Sequence, residues 1–155
     1  MPEIRLRPVT AEDRELLLRI YASTREEELA RTDWSVDEKA RFVRMQFDAQ
    51  DAYYREHYTG ALFLVILVDG QPAGRLYLHH RPEEIRLMDI SLLPEHRGRG
   101  VGSSIVQDLL SQARAAGKGV GIHVEKHNPA MRLYERLGFR RKADRGVYDF
   151  LLWTS

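Results

Sequence analysis

The sequence predicts a mixed α/β (α+β) fold in one domain spanning residues 1–155. Three observations carry this reading. Apolar residues recur at helical spacing in some segments and as short continuous or alternating runs in others. The short runs between 61 and 93 are separated only by turn signals, which predicts an antiparallel meander. A glycine-rich loop then joins a strand to an amphipathic helix and a further strand, a strand–loop–helix–strand unit in mid-chain.

Taken in order, Ile4, Leu6 and Val9 predict a short strand ending near Pro8. Thr10-x-x-Asp13 has the form of a capping box, and Leu16, Leu17, Ile20 and Tyr21 follow at helical spacing. A second box, Ser35-x-x-Glu38, opens a longer helix with the stripe Val36, Ala40, Val43, Phe47 and Tyr54. Leu62–Val68 reads as a buried strand, Asp69-Gly70 as a hairpin turn and Ala73–His80 as the returning strand. After a turn at 81–84, Ile85–Leu93 is a third strand, stopped by Pro94. The next helix carries Ile105, Val106, Leu109, Leu110 and Ala113 on one face and ends at Gly117–Gly119. Val120–Val124 is a short strand. Pro129–Leu137 is a helix with Pro in its first turn and Gly138 behind it. Phe139–Ala143 and Val147–Trp153 form two last strands around Asp144-Arg145-Gly146.

Composition narrows the chemistry. With 43% hydrophobic and 30% charged residues the chain reads as soluble and globular, and a chain of this size buries roughly 70% of its unfolded surface. It has no cysteine, which excludes a disulfide framework, a thiolate zinc site and a cysteinyl nucleophile. The net charge of +1 does not signal nucleic acid or a membrane surface. It hides an asymmetry: residues 1–60 hold 10 Lys/Arg against 13 Asp/Glu, and residues 61–155 hold 14 against 10. That split fits an anionic ligand on the C-terminal part and a cationic one near the N-terminal part, or ordinary surface variation. The opening MPEIRLRPVT lacks the apolar stretch of a signal peptide, and the run Ala61–Val68 is too short to span a bilayer. The cytoplasm is the expected location.

The most informative stretch is Pro94-Glu95-His96-Arg97-Gly98-Arg99-Gly100-Val101-Gly102-Ser103. Close glycines let the backbone bend and approach a ligand, and the N–H groups of a first helical turn favour a phosphate. Two familiar phosphate loops fit poorly. A Walker A loop requires Lys-Ser/Thr after its last glycine, whereas Gly102 precedes Ser103-Ser104. A dinucleotide fingerprint requires a third glycine where Ser103 stands.

Asp89-Ile90-Ser91-Leu92-Leu93-Pro94-Glu95-His96-Arg97-Gly98-Arg99-Gly100-Val101-Gly102 resembles the central motif of the GNAT superfamily of acetyl-CoA-dependent N-acetyltransferases. In that motif a strand leads through Arg/Gln-x-x-Gly-x-Gly/Ala into a helix, and Arg97-x-x-Gly100-x-Gly102 satisfies it. Asn128-Pro129-Ala130-Met131-Arg132-Leu133-Tyr134-Glu135-Arg136-Leu137-Gly138-Phe139 resembles the family's second motif. The two regions cover roughly 85–139, in order, with a helix and a strand between them. The hairpin with Asp69-Gly70 and Gly74 also suits the family, while residues 10–60 match it weakly.

The resemblance implies a GNAT-type fold: a twisted, mostly antiparallel sheet with a splayed strand pair, flanked by helices. It implies acetyl-CoA as co-substrate. The backbone of Ile90, Ser91 and Leu92 would pair with the pantetheine arm, and the N–H groups of Gly98 through Ser103, with Val101 and Gly102 between, would hold the pyrophosphate. Arg97 and Arg99 would add contacts to the nucleotide phosphates. Tyr134 matches the general acid that protonates the departing thiolate, although its apolar neighbours also suit a core tyrosine. Asn128 matches a CoA-contacting position with one departure. The commoner spacing to the tyrosine is one residue longer and would put His127 in that place, and Asn128-Pro129 equally suits a helix-entry cap. The implied route is direct attack of a neutral amine in a ternary complex, with a backbone N–H near Leu92 meeting the oxyanion.

The base is open among Asp89, on the motif strand, Glu28, in the acidic run Glu26–Glu28, and His123, whose ordinary pKa suits the task. The glutamates also suit a solvated helix face. The histidines do not make a His-Glu-x-x-His pattern, so no metal is expected. Tyr21, Trp34, Phe42, Phe47, Tyr53, Tyr54, His57 and Tyr58, with the glutamates, suit a cationic small-molecule amine as acceptor, or simply core and surface. A protein N-terminus or lysine is the alternative acceptor, and a non-catalytic CoA-sensing module the alternative role. The family's frequent homodimers extend the expectation of one to this chain.

Overall fold

The structure, a computed structural model, describes residues 2–155. Seven strands form one hydrogen-bonded sheet in the order β1-β2-β3-β4-β5-β7-β6. The strands are β1 (Ile4–Pro8), β2 (Leu62–Val68), β3 (Gln71–His80), β4 (Glu84–Leu92), β5 (Gly119–Glu125), β6 (Arg140–Arg145) and β7 (Tyr148–Trp153). The helices are α1 (Arg14–Leu29), α2 (Val36–His57), α3 (Val101–Ala116) and α4 (Met131–Arg136). The described chain makes two compact units, one running to Leu76 and including Ser91–Arg97, the other Tyr77–Ile90 with Gly98–Ser155.

In the first unit β1 pairs antiparallel with β2, from Ile4↔Val68 to Pro8↔Leu64. The Thr10 box forms, but it opens a tight turn, Ala11–Asp13, that leads into α1. The Asp13 carboxylate accepts the Thr10 N–H at 2.7 Å and both guanidinium N–H groups of Arg7 at 2.8 and 2.9 Å. The Arg7 guanidinium is the main reason that the buried Asp13 carboxyl stays well below the usual carboxylate range. The second box forms as read: Ser35 Oγ accepts the Glu38 N–H and Glu38 Oε1 accepts the Ser35 N–H, both at 3.1 Å.

Leu17, Ile20, Tyr21 and Leu29 of α1 pack with Val43 and Phe47 of α2 and with Leu93. The apolar stripe of α2 is shorter than its spacing predicts, because Val36 is 83% exposed and Ala40 is exposed as well. The first turn of α2 is held by its cap rather than by packing.

In the second unit β4 and β5 run parallel, joined through α3. The predicted stripe of α3 is buried, Ile105, Val106, Leu109, Leu110 and Ala113, together with Val101. Gly117 closes the helix in the left-handed conformation. β5 pairs antiparallel with β7, and β7 with β6, whose register shifts between Arg141 and Ala143. α4 is shorter than the predicted Pro129–Leu137: Asn128 Oδ1 accepts the Ala130 N–H at 2.8 Å and fixes a turn, so helix begins only at Met131.

Candidate active site

The glycine segment forms the entrance to α3. β4 ends at Leu92, a single tight turn covers Pro94–His96, and Gly98 and Gly100 both lie in the left-handed region, at φ 72° and 80°. A Cβ on either glycine would meet nothing within 4 Å. Glycine is therefore needed there for the backbone angle and not for crowding. The first helical bond runs from the Ser104 N–H to the Gly100 carbonyl at 3.0 Å. Val101, Gly102 and Ser103 thus present N–H groups that have no acceptor within the helix, at its positive end. No acidic residue sits in that first turn. Arg99 is exposed and makes no hydrogen bond or ion pair with another described residue.

Arg97 is engaged in a way that spacing does not reveal. Its Nε donates to the Leu92 carbonyl at 2.9 Å and its Nη2 to Ser23 Oγ at 3.2 Å. It ties the end of β4 to α1. Nearby, Gly74 of β3 lies so close to Ser91 and Leu92 that a side chain there would collide with their backbone. The Leu93 N–H donates to the Ala73 carbonyl at 2.8 Å.

The ladder between β4 and β5 runs from Glu84↔Gly119 to Leu87↔Ile122 and stops, although β4 continues to Leu92 and β5 to Glu125. The stretches Met88–Ile90 and His123–Glu125 are the splayed ends of a parallel pair. Strand parity then separates the candidate bases. Asp89 shares the face of Leu87, and its carboxylate acts on Tyr134 of α4. His123 shares the opposite face with Phe150 and Arg86: its ring lies 5.0 Å from that of Phe150, and the Arg86 guanidinium stacks 4.8 Å above the same ring. Arg86 is held there by Glu84 at 2.5 Å.

Tyr134 is 4% exposed. Burial, and then the Asp89 carboxylate, push its phenol above the ordinary value, so it rests protonated. Its hydroxyl makes no hydrogen bond with another described residue. His123 is shifted the other way, chiefly by partial burial and then by Arg86 and Arg145, and so favours the neutral imidazole.

Glu28 lies on the exposed side of α1, its side chain 62% exposed and 3.4 Å from Arg25. Asn128 caps the turn before α4, and His127 beside it has a positive φ of 70°. Two residues escape the sequence reading. Arg75 of β3 is buried, donating to Gln50 at 2.7 Å and lying over the Tyr21 ring. Arg86 is the charge nearest to His123 in effect. A basic residue inside a strand pattern is the only signal for either.

Comparison with known proteins agrees with this geometry. The family model described as Acetyltransferase (GNAT) family matches residues 21–139. The chain is 29% identical over 96 residues to streptothricin acetyltransferase of Streptomyces lavendulae, which covers 59% of this chain and 51% of that protein. It thus spans about half the length of that relative. It is 26% identical over 118 residues to a Bacillus subtilis (strain 168) protein provisionally named ribosomal protein bS18-alanine N-acetyltransferase, over 68% of this chain and 78% of that one. In fold it resembles the PaiA N-acetyltransferase of Thermoplasma acidophilum solved with coenzyme A, with TM-score 0.74, 17% identity and 99% of both chains covered. An acetyltransferase from Thermus thermophilus superposes with TM-score 0.69 at 23% identity, over 98% and 97% of the two chains. The chain belongs to the acetyltransferase (GNAT) family.

Proposed function

We propose that this protein, acting as one acetyltransferase domain over residues 1–155, moves an acetyl group from acetyl-CoA to a primary amine by direct attack in a ternary complex. The observation that carries the reading is the entrance to α3. Two left-handed glycines deliver the chain to a helix N-terminus with spare N–H groups and no internal anion. That arrangement fits a pyrophosphate. β4 runs on past its last pair with β5, Leu87↔Ile122, and its stretch from Ile90 to Leu92 fits an extended amide-bearing arm laid beside it as an added strand. The relative solved with coenzyme A supports the same ligand.

Bound there, acetyl-CoA supplies an activated thioester and a thiolate leaving group. The chain supplies the rest. The Tyr134 phenol, kept neutral by its surroundings, donates its proton to the departing sulfur. The backbone N–H near Leu92 meets the developing oxyanion. Of the three candidate bases, His123 has the surroundings that suit the task, its pKa lowered toward the neutral imidazole beside Phe150. Asp89 serves Tyr134 instead, and Glu28 is a solvated surface group that would act on a cationic acceptor from a distance.

The acceptor in this reading is a small-molecule amine, as the name of the streptothricin relative suggests. The Bacillus relative's name favours a second reading, a protein N-terminus. No described helix is long and apolar enough to cross a membrane, and we place the reaction in the cytoplasm. The test is release of free thiol from acetyl-CoA across a panel of amines and N-terminal peptides. Turnover with small amines supports the first acceptor class, turnover with peptides alone the second. Absence of any acetyl-CoA binding at millimolar ligand would overturn the activity itself.

A further inference from the structure

We infer that the acceptor is an amine that also carries a carboxylate, a free α-amino acid held with its anionic end at Arg145 and its amine beside His123. This acceptor class rests on the acetyl-transfer reading above, with His123 as the base. All the residues that define it belong to the second unit.

The register of the strands gathers one set of side chains on the His123 face. His123 of β5 pairs with Phe150 of β7, and Phe150 with Ala143 of β6. Two residues further along, Glu125 pairs with Tyr148, and Tyr148 with Arg145. On the other side of β5, Arg86 of β4 pairs with Gly121, two residues before His123. Ladder partners and alternate residues along a strand share a face. The Tyr148 row is polar in one direction, with its acid on the β5 side and its base on the β6 side. A zwitterion laid across that row puts its amine toward β5, the strand of His123, and its carboxylate toward β6.

The charges on this face are not equally available. Glu84 lies over Gly121, where a Cβ would collide with its carboxylate, and it holds Arg86 at 2.5 Å. Their side chains are only 20% and 12% exposed. The Arg86 guanidinium also stacks 4.8 Å above Phe150. Arg81 gives its Nε to His79 Nδ1 at 3.0 Å. Arg145 differs: it is exposed, and its guanidinium makes no hydrogen bond or ion pair with another described residue. Strand spacing and rise put its Cα about 12 Å from that of His123. Its charge nevertheless acts on the imidazole, so the long side chain serves the same space. An open guanidinium fork is a carboxylate partner.

The field around His123 selects in the same direction. Arg86, Arg145 and Arg81 act on it as cations, against Glu84. A surplus that favours the neutral imidazole also repels a polyamine, and it eases loss of the proton from an acceptor ammonium. A carboxylate on the acceptor offsets the repulsion. This departs from the cationic acceptor suggested by the aromatic and acidic residues of the N-terminal part.

The test compares kcat/KM for leucine, phenylalanine, glutamate and lysine with that for their amides and for spermidine, by thiol release from acetyl-CoA. Free amino acids are expected to exceed their amides at least tenfold, the size of a charge-assisted bond. The amides hold more free amine at neutral pH, so basicity does not explain such a preference. Arg145→Gln should bring the ratio toward one, mainly through KM, and Arg145→Glu should invert it, both at wild-type melting temperature. A second arm needs no turnover. N-acetylleucine or N-acetylphenylalanine should shift the His123 ring resonances in NMR, while the corresponding N-acetyl amides should not. If no amine is acetylated but the acids still shift His123, the transfer reading fails and the carboxylate site stands. A preference for amides or spermidine overturns the inference. So does a ratio unchanged in Arg145→Gln, or an equal His123 response to acid and amide.

Discussion

The carboxylate of Asp89 on β4 raises the pKa of the Tyr134 phenol on α4, adding to the larger effect of burial. An acidic neighbour makes the phenol harder to ionise and so keeps its proton in place. Asp89 thus adds to the effect of burial on the Tyr134 phenol, the group proposed above as the proton donor.

From this pair two outcomes follow. Tyr134→Phe is expected to lower turnover by about 10²–10⁴-fold, with acetyl-CoA still raising the melting temperature as in the wild type. Asp89→Asn removes the charge that raises the phenol's pKa, so the alkaline limb of kcat should move to lower pH. A tyrosine with a merely structural role would leave that limb where it is.

His123 should control the acid limb. Its pKa is depressed, so the base form persists below the ordinary imidazole value and activity should hold to pH below about 6.5. Arg86→Gln removes the largest charge effect and should shift the limb upward. His123→Gln should abolish the limb along with most of the rate. A pH profile of kcat/KM for the three proteins checks this.

Gly100 is required for its φ of 80°, in open space. Gly100→Val should cost roughly 1–2 kcal/mol in urea unfolding, the penalty of a branched residue held left-handed. It should also remove the thermal shift caused by acetyl-CoA. Gly100→Asn, which tolerates that conformation, should cost much less. Equal losses in the two variants would point to crowding instead.

Asp13 ties the first strand to the first helix through Arg7 and the Thr10 N–H. Asp13→Ala should destabilise the protein by about 1–2 kcal/mol, less than a sealed ion pair, because the Arg7 side chain is 37% exposed. The folded carboxyl lies below its unfolded value, so its contribution is complete above pH ~4 and fades as pH falls below that. Urea unfolding between pH 2 and 6 should show a shallower acid decline for the variant.

Most of the elements are legible locally. The Ser35–Glu38 box, the turn at Asp69-Gly70 and the stripe of α3 each depend on residues within a few positions of one another. The reading fails where a partner lies far off. Val36 belongs to a helical stripe yet is exposed, and the contacts of Arg97 with Leu92 and Ser23 are not visible in its motif. Asn128 holds a turn, as its proline neighbour hinted, and shortens α4.

By itself, the sequence determined the order of strands and helices, the glycine entrance to α3 and the family. Capping, left-handed turns and motif spacing are short-range properties of the chain. The tertiary structure decided which way the chemistry points. Asp89 and His123 look equivalent as candidates in sequence. Strand parity and the end of the β4–β5 ladder at Leu87↔Ile122 set them on opposite faces. There burial and neighbouring charge, which no single segment encodes, keep one residue's phenolic partner protonated and the other residue's imidazole neutral.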